Sequence, residues 1–180
     1  MQAKDGLPGL LIIKEINKNT VPLKGAYICG CSNINPHIAV LVQTLIEFGA
    51  TVGWCTSNIN AVENDVCSAM TEFGVNMFAW CGESEEDYWW CIEECIISAG
   101  KNPNFIIDDG GDMTTVMLNK FPKLFHNLKG IIEISPYGVY KLYSLANDKQ
   151  LLVPAINITN AVSLDQFNRI FYFRECLLKW

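Results

Sequence analysis

Three aspartates that follow one apolar segment are the residues in this chain best placed to do chemistry. They are Asp108, Asp109 and Asp112, and they come directly after the apolar run Phe105–Ile107. Such a run predicts a strand that is buried on both faces, and Gly110–Gly111 allows a tight turn from that strand into a helix. We expect Asp112 to cap this helix by accepting hydrogen bonds from its free backbone N–H groups. Open α/β sheets bind ligands at the carboxyl ends of their strands, so the three carboxylates form either a ligand site or a capped turn with solvated acids.

Cysteines offer a second possible chemistry, because thiols bind metals and form disulfides. The eight cysteines are Cys29, Cys31, Cys55, Cys67, Cys81, Cys91, Cys95 and Cys176. Cys91 and Cys95 are one helical turn apart and could share a metal, but no C-x-x-C pair exists and the two histidines are distant. We therefore expect no metal site. Cys29 and Cys55, like Cys91 and Cys95, fall inside apolar patterns, which favours buried free thiols in a reducing compartment over a disulfide framework.

Alternating strand and helix patterns must position these residues. The predicted strands are Ala26–Gly30, Thr51–Cys55, Asn76–Trp80, Phe105–Ile107, Gly130–Ile134 and Leu152–Ile158. The predicted helices are Gly6–Lys18, Pro36–Phe48, 60–73, 84–99, Thr114–Lys120, Lys123–Leu128, Tyr137–Leu145 and Val162–Trp180. Strand and helix alternate at the spacing of βα units. We therefore predict a single α/β domain with a doubly wound, largely parallel sheet and helices on both faces.

Local signals indicate where three of these helices begin. Asn35 precedes a proline, which is the order expected of a cap and a first helical residue. Asn60 and Glu63 have the spacing of a capping box. Ser84 precedes three consecutive acids, and negative charge is favourable at the amino end of a helix.

The aromatic run Tyr88–Trp90 lies in the helix that begins at Ser84. Two interpretations are open. The run could be a platform on which a ligand base stacks, or part of a core-facing helix that also contributes to an interface. Helical periodicity favours the second interpretation.

The net charge of −6 restricts the classes of partner. Nucleic acids and anionic membrane surfaces bind basic patches, so this charge argues against both. No apolar run approaches the length of a membrane span, and Met1–Thr20 lacks a signal-peptide pattern. We therefore predict a cytoplasmic protein that neither binds nucleic acid nor inserts into membranes.

Several stretches together resemble the adenosylhomocysteinase family. They are Leu23–Ala26, Phe78–Trp80, Gly82–Glu85, Tyr88–Glu93, Asp108–Asp112, Val153–Asn157 and Arg174–Glu175. The similarity runs from about Pro8 to the last residue with almost no gaps, and it is nearest to the inositol-trisphosphate-receptor-binding branch of the family. This resemblance implies a Rossmann-like substrate-binding lobe.

Enzymes of this family reversibly hydrolyse S-adenosylhomocysteine to adenosine and homocysteine, with a tightly held NAD that oxidises the ribose 3′-hydroxyl. The resemblance covers only the first part of their substrate-binding domain. Residues 1–180 are therefore expected to form an incomplete substrate-binding domain, without the NAD-binding domain. No G-x-G-x-x-G fingerprint occurs in the chain, so we expect no bound cofactor.

Most positions that serve the family's chemistry hold other residue types here. After the first predicted strand, the family's histidine falls at Asn33, its substrate-binding threonine at Asn35 and its glutamine at His37. The glutamate that binds adenine falls at Gln43. In the fifth predicted strand, the second of two adjacent glutamates, a catalytic one, is replaced by Ile134.

The helix predicted near the end of the chain also holds residue types that differ from those of the family. The family's lysine falls at Leu164, its following aspartate at Asn168 and its cysteine near the nicotinamide at Phe173. Only Asp109 and Asp112 keep the carboxylates that are, in the family, a catalytic and a supporting group.

These substitutions predict a pseudoenzyme, a catalytically inactive homologue that acts as an interaction or regulatory protein around the S-adenosylmethionine/S-adenosylhomocysteine cycle. Residual substrate binding would involve Gln43 and Asp109, and Glu133 matches the retained glutamate of the pair. The expected partner is a second copy of this chain or a full-length member of the family. Two alternatives stay open, namely a hydrolase half-site that is active only with an intact subunit and a degenerate gene copy without a role.

Overall fold

The computed structural model describes residues 7–98, 103–159 and 161, and it shows one six-stranded sheet whose neighbouring strands are all parallel. The strands are β1 (Tyr27–Cys31), β2 (Thr51–Cys55), β3 (Asn76–Phe78), β4 (Phe105–Asp108), β5 (Gly130–Glu133) and β6 (Ala155–Asn157). Their order across the sheet is β3-β2-β1-β4-β5-β6. This is the strand order of a Rossmann fold, so the prediction of a doubly wound, parallel sheet is confirmed.

Helices cover both faces of this sheet. They are α1 (Pro8–Ile16), α2 (Pro36–Glu47), α3 (Asn64–Glu72), α4 (Glu85–Ile97), α5 (Asp112–Lys120), α6 (Pro122–Phe125) and α7 (Pro136–Asn147). Successive strand residues point to opposite faces. Ile106 accordingly packs in a core with α4, α5, α6 and α7, whereas Ile107 packs in a second core with α2 and α3.

Two of the three predicted helix starts are confirmed. The Asn35 side chain accepts hydrogen bonds from the backbone N–H of His37 at 3.0 Å and of Ile38 at 3.1 Å. Ser84 and Asp87 form a reciprocal capping box, in which each side chain accepts from the backbone N–H of the other residue. These caps satisfy backbone donors that have no partner within the helix.

The predicted capping box of Asn60 and Glu63 is wrong. Helix α3 begins later, with Glu63 at the cap position, and its side chain makes no capping hydrogen bond. The preceding segment pairs with the residues after β1, because the Ile34 N–H donates to the Ala61 carbonyl at 3.1 Å and Ile34 forms a parallel bridge with Val62. A segment held in an extended pairing cannot also supply the first turn of a helix.

The outer strands are shorter than predicted. β3 ends at Phe78 rather than Trp80, and β6 spans Ala155–Asn157 rather than 152–158. In the described part of the chain, both strands have a neighbour on one side only, so their pairing stops where that neighbour ends. The helix predicted over 162–180 lies outside the described residues.

The predicted burial of four cysteines is confirmed. Cys29, Cys55, Cys91 and Cys95 are buried and have free thiols. Within the described residues, no group of three or more histidines, cysteines and acids is placed to hold a metal ion. No helix in that part of the chain is both long and apolar enough to span a bilayer.

Candidate functional site

The carboxyl ends of four strands form one row at the edge of the sheet. Cys31 at the end of β1 pairs in register with Cys55 of β2 on one side and with Asp108 of β4 on the other, and Asp108 pairs with Glu133 of β5. The chain leaves β1 and β4 towards opposite faces of the sheet. The crevice between them is therefore the topological switch point, where open α/β sheets bind ligands.

Asp108 is a buried structural carboxylate. Its Oδ2 accepts from the Thr114 backbone N–H at 2.8 Å and from the Thr114 hydroxyl at 2.7 Å, and its Oδ1 accepts from the Asp109 N–H at 3.1 Å. Burial raises the pKa of Asp108, and the hydrogen bonds from Thr114 oppose that rise. Asp108 thus satisfies a free amide in the first turn of α5, which is the task predicted for Asp112.

The prediction that Asp112 caps α5 is wrong. Gly111, with a φ of 77°, occupies the cap position, and Asp112 is the first residue of the helix. The left-handed turn at Gly111 directs the Asp112 side chain towards neighbouring helices instead of the amides of α5. Its Oδ1 accepts from the Lys141 ammonium at 2.8 Å and its Oδ2 from the Tyr88 hydroxyl at 2.9 Å.

Asp109 is the member of the group that faces the crevice. Its Oδ2 lies 3.3 Å from the Ser57 hydroxyl, and this hydroxyl also lies 3.4 Å from the Asn33 Oδ1. One hydroxyl proton can serve only one of these acceptors at a time. Burial raises the pKa of Asp109, and the hydrogen bond from Ser57 opposes that rise.

Ser57 is the site residue that sequence reasoning missed. It joins the predicted positions Asn33 and Asp109, which are far apart in the sequence. A signal was present, because Ser57 follows β2 by two residues, as Asn33 follows β1. Residues just beyond the ends of adjacent parallel strands meet at the same edge of a sheet.

Glu133 is fully buried, and only one of its two carboxyl oxygens accepts hydrogen bonds. Its Oε1 accepts from the backbone N–H of Gly110 at 3.0 Å and of Ser135 at 2.8 Å, while its Oε2 has no hydrogen-bond partner. Burial raises the pKa of Glu133 to about 7. The first turn of α7 presses against this carboxyl group, since a Cβ added to Gly138 would lie 2.1 Å from it.

A cavity of about 270 Å³ opens beside the row of strand ends, lined on one side by Ser57 and Asp112 and on the other by Tyr88 and Trp89. The core-facing interpretation of the aromatic run holds for Tyr88, which is buried. Trp89 and Trp90 are 38% and 51% exposed, while the buried stripe of α4 continues through Cys91 and Ile92, so the predicted interface role of the two tryptophans stays a prediction. Since Trp89 lines the cavity, the stacking interpretation stays open for this side chain.

Asn35, Gln43 and Ile134 are the remaining predicted positions that the structure describes. Asn35 is used as the cap of α2, and Gln43 is half-buried about 10 Å further along the axis of that helix. Ile134 packs against the core that α2 and α3 cover. Leu164, Asn168 and Phe173 lie outside the described residues.

The turn after β1 does not fit a dinucleotide. Rossmann lobes that bind NAD hold the pyrophosphate against the first amides of the helix after β1, across a glycine-rich turn. Here the Asn35 side chain already accepts from two of those amides, and Pro36 has no N–H. The space beside Gly30 is filled as well, because a Cβ added there would lie 2.2 Å from the Trp54 ring.

Comparisons with known proteins agree with this geometry. The family model described as S-adenosyl-L-homocysteine hydrolase matches residues 1–120 and 117–172. A short-chain dehydrogenase/reductase from Serratia marcescens BCRC 10948 is a similar solved structure, with 13% identity, a TM-score of 0.50 and coverage of 76% of this chain and 74% of that chain. An alcohol dehydrogenase superfamily protein from Novosphingobium aromaticivorans has 17% identity and a TM-score of 0.45, and the match covers 87% of this chain but 42% of that one. At 13% identity the Serratia marcescens structure shows the fold alone.

Proposed function

The chain belongs to the S-adenosyl-L-homocysteine hydrolase family, and we propose that it is a non-hydrolytic member that acts by binding a protein partner around the S-adenosylmethionine/S-adenosylhomocysteine cycle. In this proposal the described lobe corresponds to the first part of the family's substrate-binding domain. It works without NAD on this lobe, and the occupied amides after β1 support that part of the proposal.

One observation is central to the non-hydrolytic proposal. Within the described residues, the amine that reaches the carboxylate group is Lys141, and it pairs with Asp112 rather than with Asp109. Asp109, which holds the position of the family's catalytic carboxylate, contacts a serine hydroxyl instead. A serine hydroxyl has a pKa far above neutrality and cannot exchange protons with Asp109 as a charged amine can. A positioned acid or base typically contributes about 10²–10⁴-fold to a rate. A serine in place of a charged amine beside Asp109 therefore lowers the expected rate of hydrolysis by a large factor.

The other retained acid also serves the fold. Glu133 directs one oxygen at two backbone amides, and its second oxygen meets α7 rather than the crevice. Its neighbour in sequence, Ile134, has an apolar side chain that can neither donate nor accept a proton. The pair of adjacent glutamates is therefore reduced to one buried structural acid.

The partner half of the proposal is supported by the edge strand β6. Among the described residues, β6 has a neighbouring strand on one side only, so its other side presents backbone N–H and C=O groups, and β6 also exposes the large apolar side chain of Ile156. Leu152, just before this strand, is exposed too. Exposed apolar side chains at a sheet edge are typical of a protein–protein interface, and a second copy or a full-length family member would fit this edge.

Homocysteine release tests the proposal that the chain does not hydrolyse S-adenosylhomocysteine. Purified chain is incubated with S-adenosylhomocysteine and added NAD, and homocysteine is quantified by mass spectrometry. We expect the unchanged chain and Asp109→Asn to give the same background signal, with an intact family hydrolase as the positive control. Release by the unchanged chain that Asp109→Asn abolishes would show that the chain is a hydrolase.

Sedimentation analysis tests the proposal that the chain binds a protein partner. The chain is measured alone over a dilution series and then mixed with an intact family hydrolase. We expect an associated species that Ile156→Asp disrupts and that Ile12→Asp, a matched change on the exposed face of α1, leaves intact. A monomer that is stable to dilution and does not bind the hydrolase would contradict the proposal. Hydrolase activity that rises when the two chains are mixed would instead identify a half-site.

A further inference from the structure

The cavity beside the strand ends has aromatic walls that the proposed partner role does not use. Its volume is about 270 Å³, and it is lined by residues 57–59 after β2, by Glu85, Tyr88 and Trp89 of α4, and by Asp112 of α5. β5 separates β4 from β6, so the cavity lies away from the edge that we propose as a protein interface. Pockets for drug-sized ligands measure about 300–1,000 Å³, so this cavity suits a smaller molecule.

Tyr88 and Trp89 form two walls of this cavity that stand almost at right angles. Their ring centroids are 5.0 Å apart, and the angle between the ring planes is 75°. Tyr88 is buried in the core, whereas Trp89 is exposed. A buried ring beside an exposed one makes an aromatic corner, which presents π surface on two sides. Proteins use such aromatic surfaces to bind quaternary ammonium groups, because the negative face of each ring attracts the cation.

Hydrogen bonds hold the buried ring of the aromatic corner in place. The Tyr88 hydroxyl donates to Asp112 Oδ2 at 2.9 Å, and the Lys141 ammonium donates to Oδ1 of the same carboxylate at 2.8 Å. Burial raises the pKa of Tyr88, so the phenol keeps its proton and remains a donor. The Tyr88 ring is therefore oriented before a ligand binds, and a preorganised site loses less conformational freedom on binding.

The charges around the aromatic corner favour a positive ligand. Glu85 and Asp112 line the cavity, and its lining within the described residues contains no lysine or arginine. Lys141 offsets the charge of Asp112. Glu85 is in the first turn of α4 together with two further acids, Glu86 and Asp87. A cation near this turn gains Coulomb energy, whereas an anion is repelled.

We propose that the aromatic corner binds the alkylated ammonium head of a small organic cation, such as a trimethylammonium group. The head would lie against the face of Trp89, with the Tyr88 ring as the second wall and Glu85 supplying negative charge. A primary ammonium carries three N–H donors that need acceptors, and both oxygens of Asp112 already accept from Tyr88 and Lys141. A trimethylammonium group has no donor to satisfy, so it fits a lining that offers ring faces.

A flat, uncharged base is the other class of ligand that an exposed tryptophan can hold by stacking. Stacking on Trp89 would not depend on a positive charge. The second ring, at 75° to the first, would meet such a base edge-on, whereas it would contact a rounded head on a second side. The charge of the ligand therefore separates the two interpretations.

NMR titration of the full chain with choline tests the proposal. The comparison ligand is dimethylbutanol, the uncharged analogue in which carbon replaces the ammonium nitrogen. We expect the methyl protons of choline to shift upfield, because they lie over an aromatic face, and choline to bind at least about tenfold more tightly than dimethylbutanol. A short peptide that contains trimethyllysine is titrated in parallel. Tighter binding of the peptide would assign the head to a protein, and tighter binding of choline would assign it to a free molecule.

Variants of α4 identify the site. Trp89→Leu should weaken choline binding by about tenfold, and Trp89→Phe, which keeps a ring, should retain most of it. Trp90→Leu is the matched control, because Trp90 is exposed on the same helix but is not part of the cavity lining, and it should leave binding unchanged. Glu85→Gln should have a smaller effect of about twofold to threefold, since exposed charge pairs are weak.

The comparison of choline with dimethylbutanol uses the unchanged chain, so it stays decisive if a variant folds poorly. Equal affinities for the two ligands would overturn the proposal in favour of an uncharged ligand. The absence of any methyl shift at about 10 mM choline would overturn it as well. So would a loss of binding in Trp90→Leu equal to that in Trp89→Leu, because the cation would then lie outside the cavity.

Discussion

The two halves of the crevice differ in how their polar side chains are used. On the β4–β5 half, Asp108 and Glu133 accept hydrogen bonds from backbone amides, and Asp112 pairs with Lys141. On the β1–β2 half, the Ser57 hydroxyl makes only long contacts of 3.3 and 3.4 Å. One half is thus held together by charged groups, and the other presents neutral groups.

This difference shows why acids at the end of a strand do not by themselves indicate catalysis. A carboxylate that accepts two or three hydrogen bonds from a turn is fixed in place by the turn, and it cannot move a proton without breaking it. Asp108 is in this situation, whereas Asp112 is held by the side chains of Lys141 and Tyr88. Asp109 is the acid of the three that, within the described residues, accepts from neither a backbone amide nor an amine, and the groups opposite it are the amide of Asn33 and the hydroxyl of Ser57.

The largest expected effect separates two adjacent aspartates. Asp108→Ala would leave the buried N–H and hydroxyl of Thr114 without their acceptor, so we expect the free energy of unfolding to fall by about 3 kcal/mol. Asp109→Ala removes one long contact and should change it by less than about 0.5 kcal/mol. Urea unfolding of both variants measures the difference. Equal losses would show that Asp109 contributes as much to the free energy of unfolding as Asp108.

A pH effect of similar size is expected from Glu133. Its pKa is raised from 4.5 to about 7, so the folded chain keeps a proton that the unfolded chain releases. Stability should therefore fall as the pH rises through this window, by about 3 kcal/mol in total. Asp108, the facing acid, has a raised pKa and acts in the same direction.

Glu133→Gln separates the two contributions to this pH effect. The amide keeps the oxygen that accepts from Gly110 and Ser135 but cannot ionise. The variant should show a flatter stability profile from about pH 4.5 to pH 7, with the residual slope left to the other acids whose pKa is raised, Asp108, Asp109 and Glu83. Unfolding at several pH values measures both profiles. Identical slopes would show that Glu133 does not titrate in this window.

The sequence predicts the scaffold better than the site. Apolar runs and helix periods depend on burial alone, so the six strands and the cap of α2 at Asn35 were recognisable from residue types. The roles of the acids depend on the path of the turn. The left-handed conformation of Gly111 exchanges the tasks of Asp108 and Asp112, and the two glycines do not reveal which aspartate faces the helix.

Two other features also depend on the tertiary fold. Ser57 becomes a site residue because β2 lies beside β1. Pairing of the chain at Ile34 also displaced the start of α3 from its local signal at Asn60. Each of these features joins residues that are more than twenty positions apart, and local patterns do not report such contacts.

A smaller effect is expected at the start of α2, which follows β1 and is capped by Asn35. Asn35→Ala removes the acceptor of two amides at the start of α2 and should lower the free energy of unfolding by about 1 kcal/mol. Asn60→Ala is the matched control, because the Asn60 side chain caps no helix, and it should have almost no effect. Thermal or urea unfolding gives both values. A larger loss of unfolding free energy for Asn60→Ala would support the capping box that the sequence predicts.

The smallest expected effect is that of Ser57→Ala. Its two contacts are long and share one proton, so we expect a change in the free energy of unfolding below about 0.5 kcal/mol. Urea unfolding next to Asp109→Ala, which removes the other end of one contact, measures it. A loss above about 1 kcal/mol would contradict the contrast between the two halves and would make the β1–β2 half structural as well.

The close approach of α7 to Glu133 has a consequence for how this sequence can change. Any side chain at position 138 would occupy the space of the carboxyl group, so Gly138 and Glu133 are mutually dependent positions. A mutational library selected for folding should yield Gly138→Ala only together with a smaller residue at position 133. The two positions should therefore show strong positive epistasis, in which each change is harmful alone and tolerated with the other.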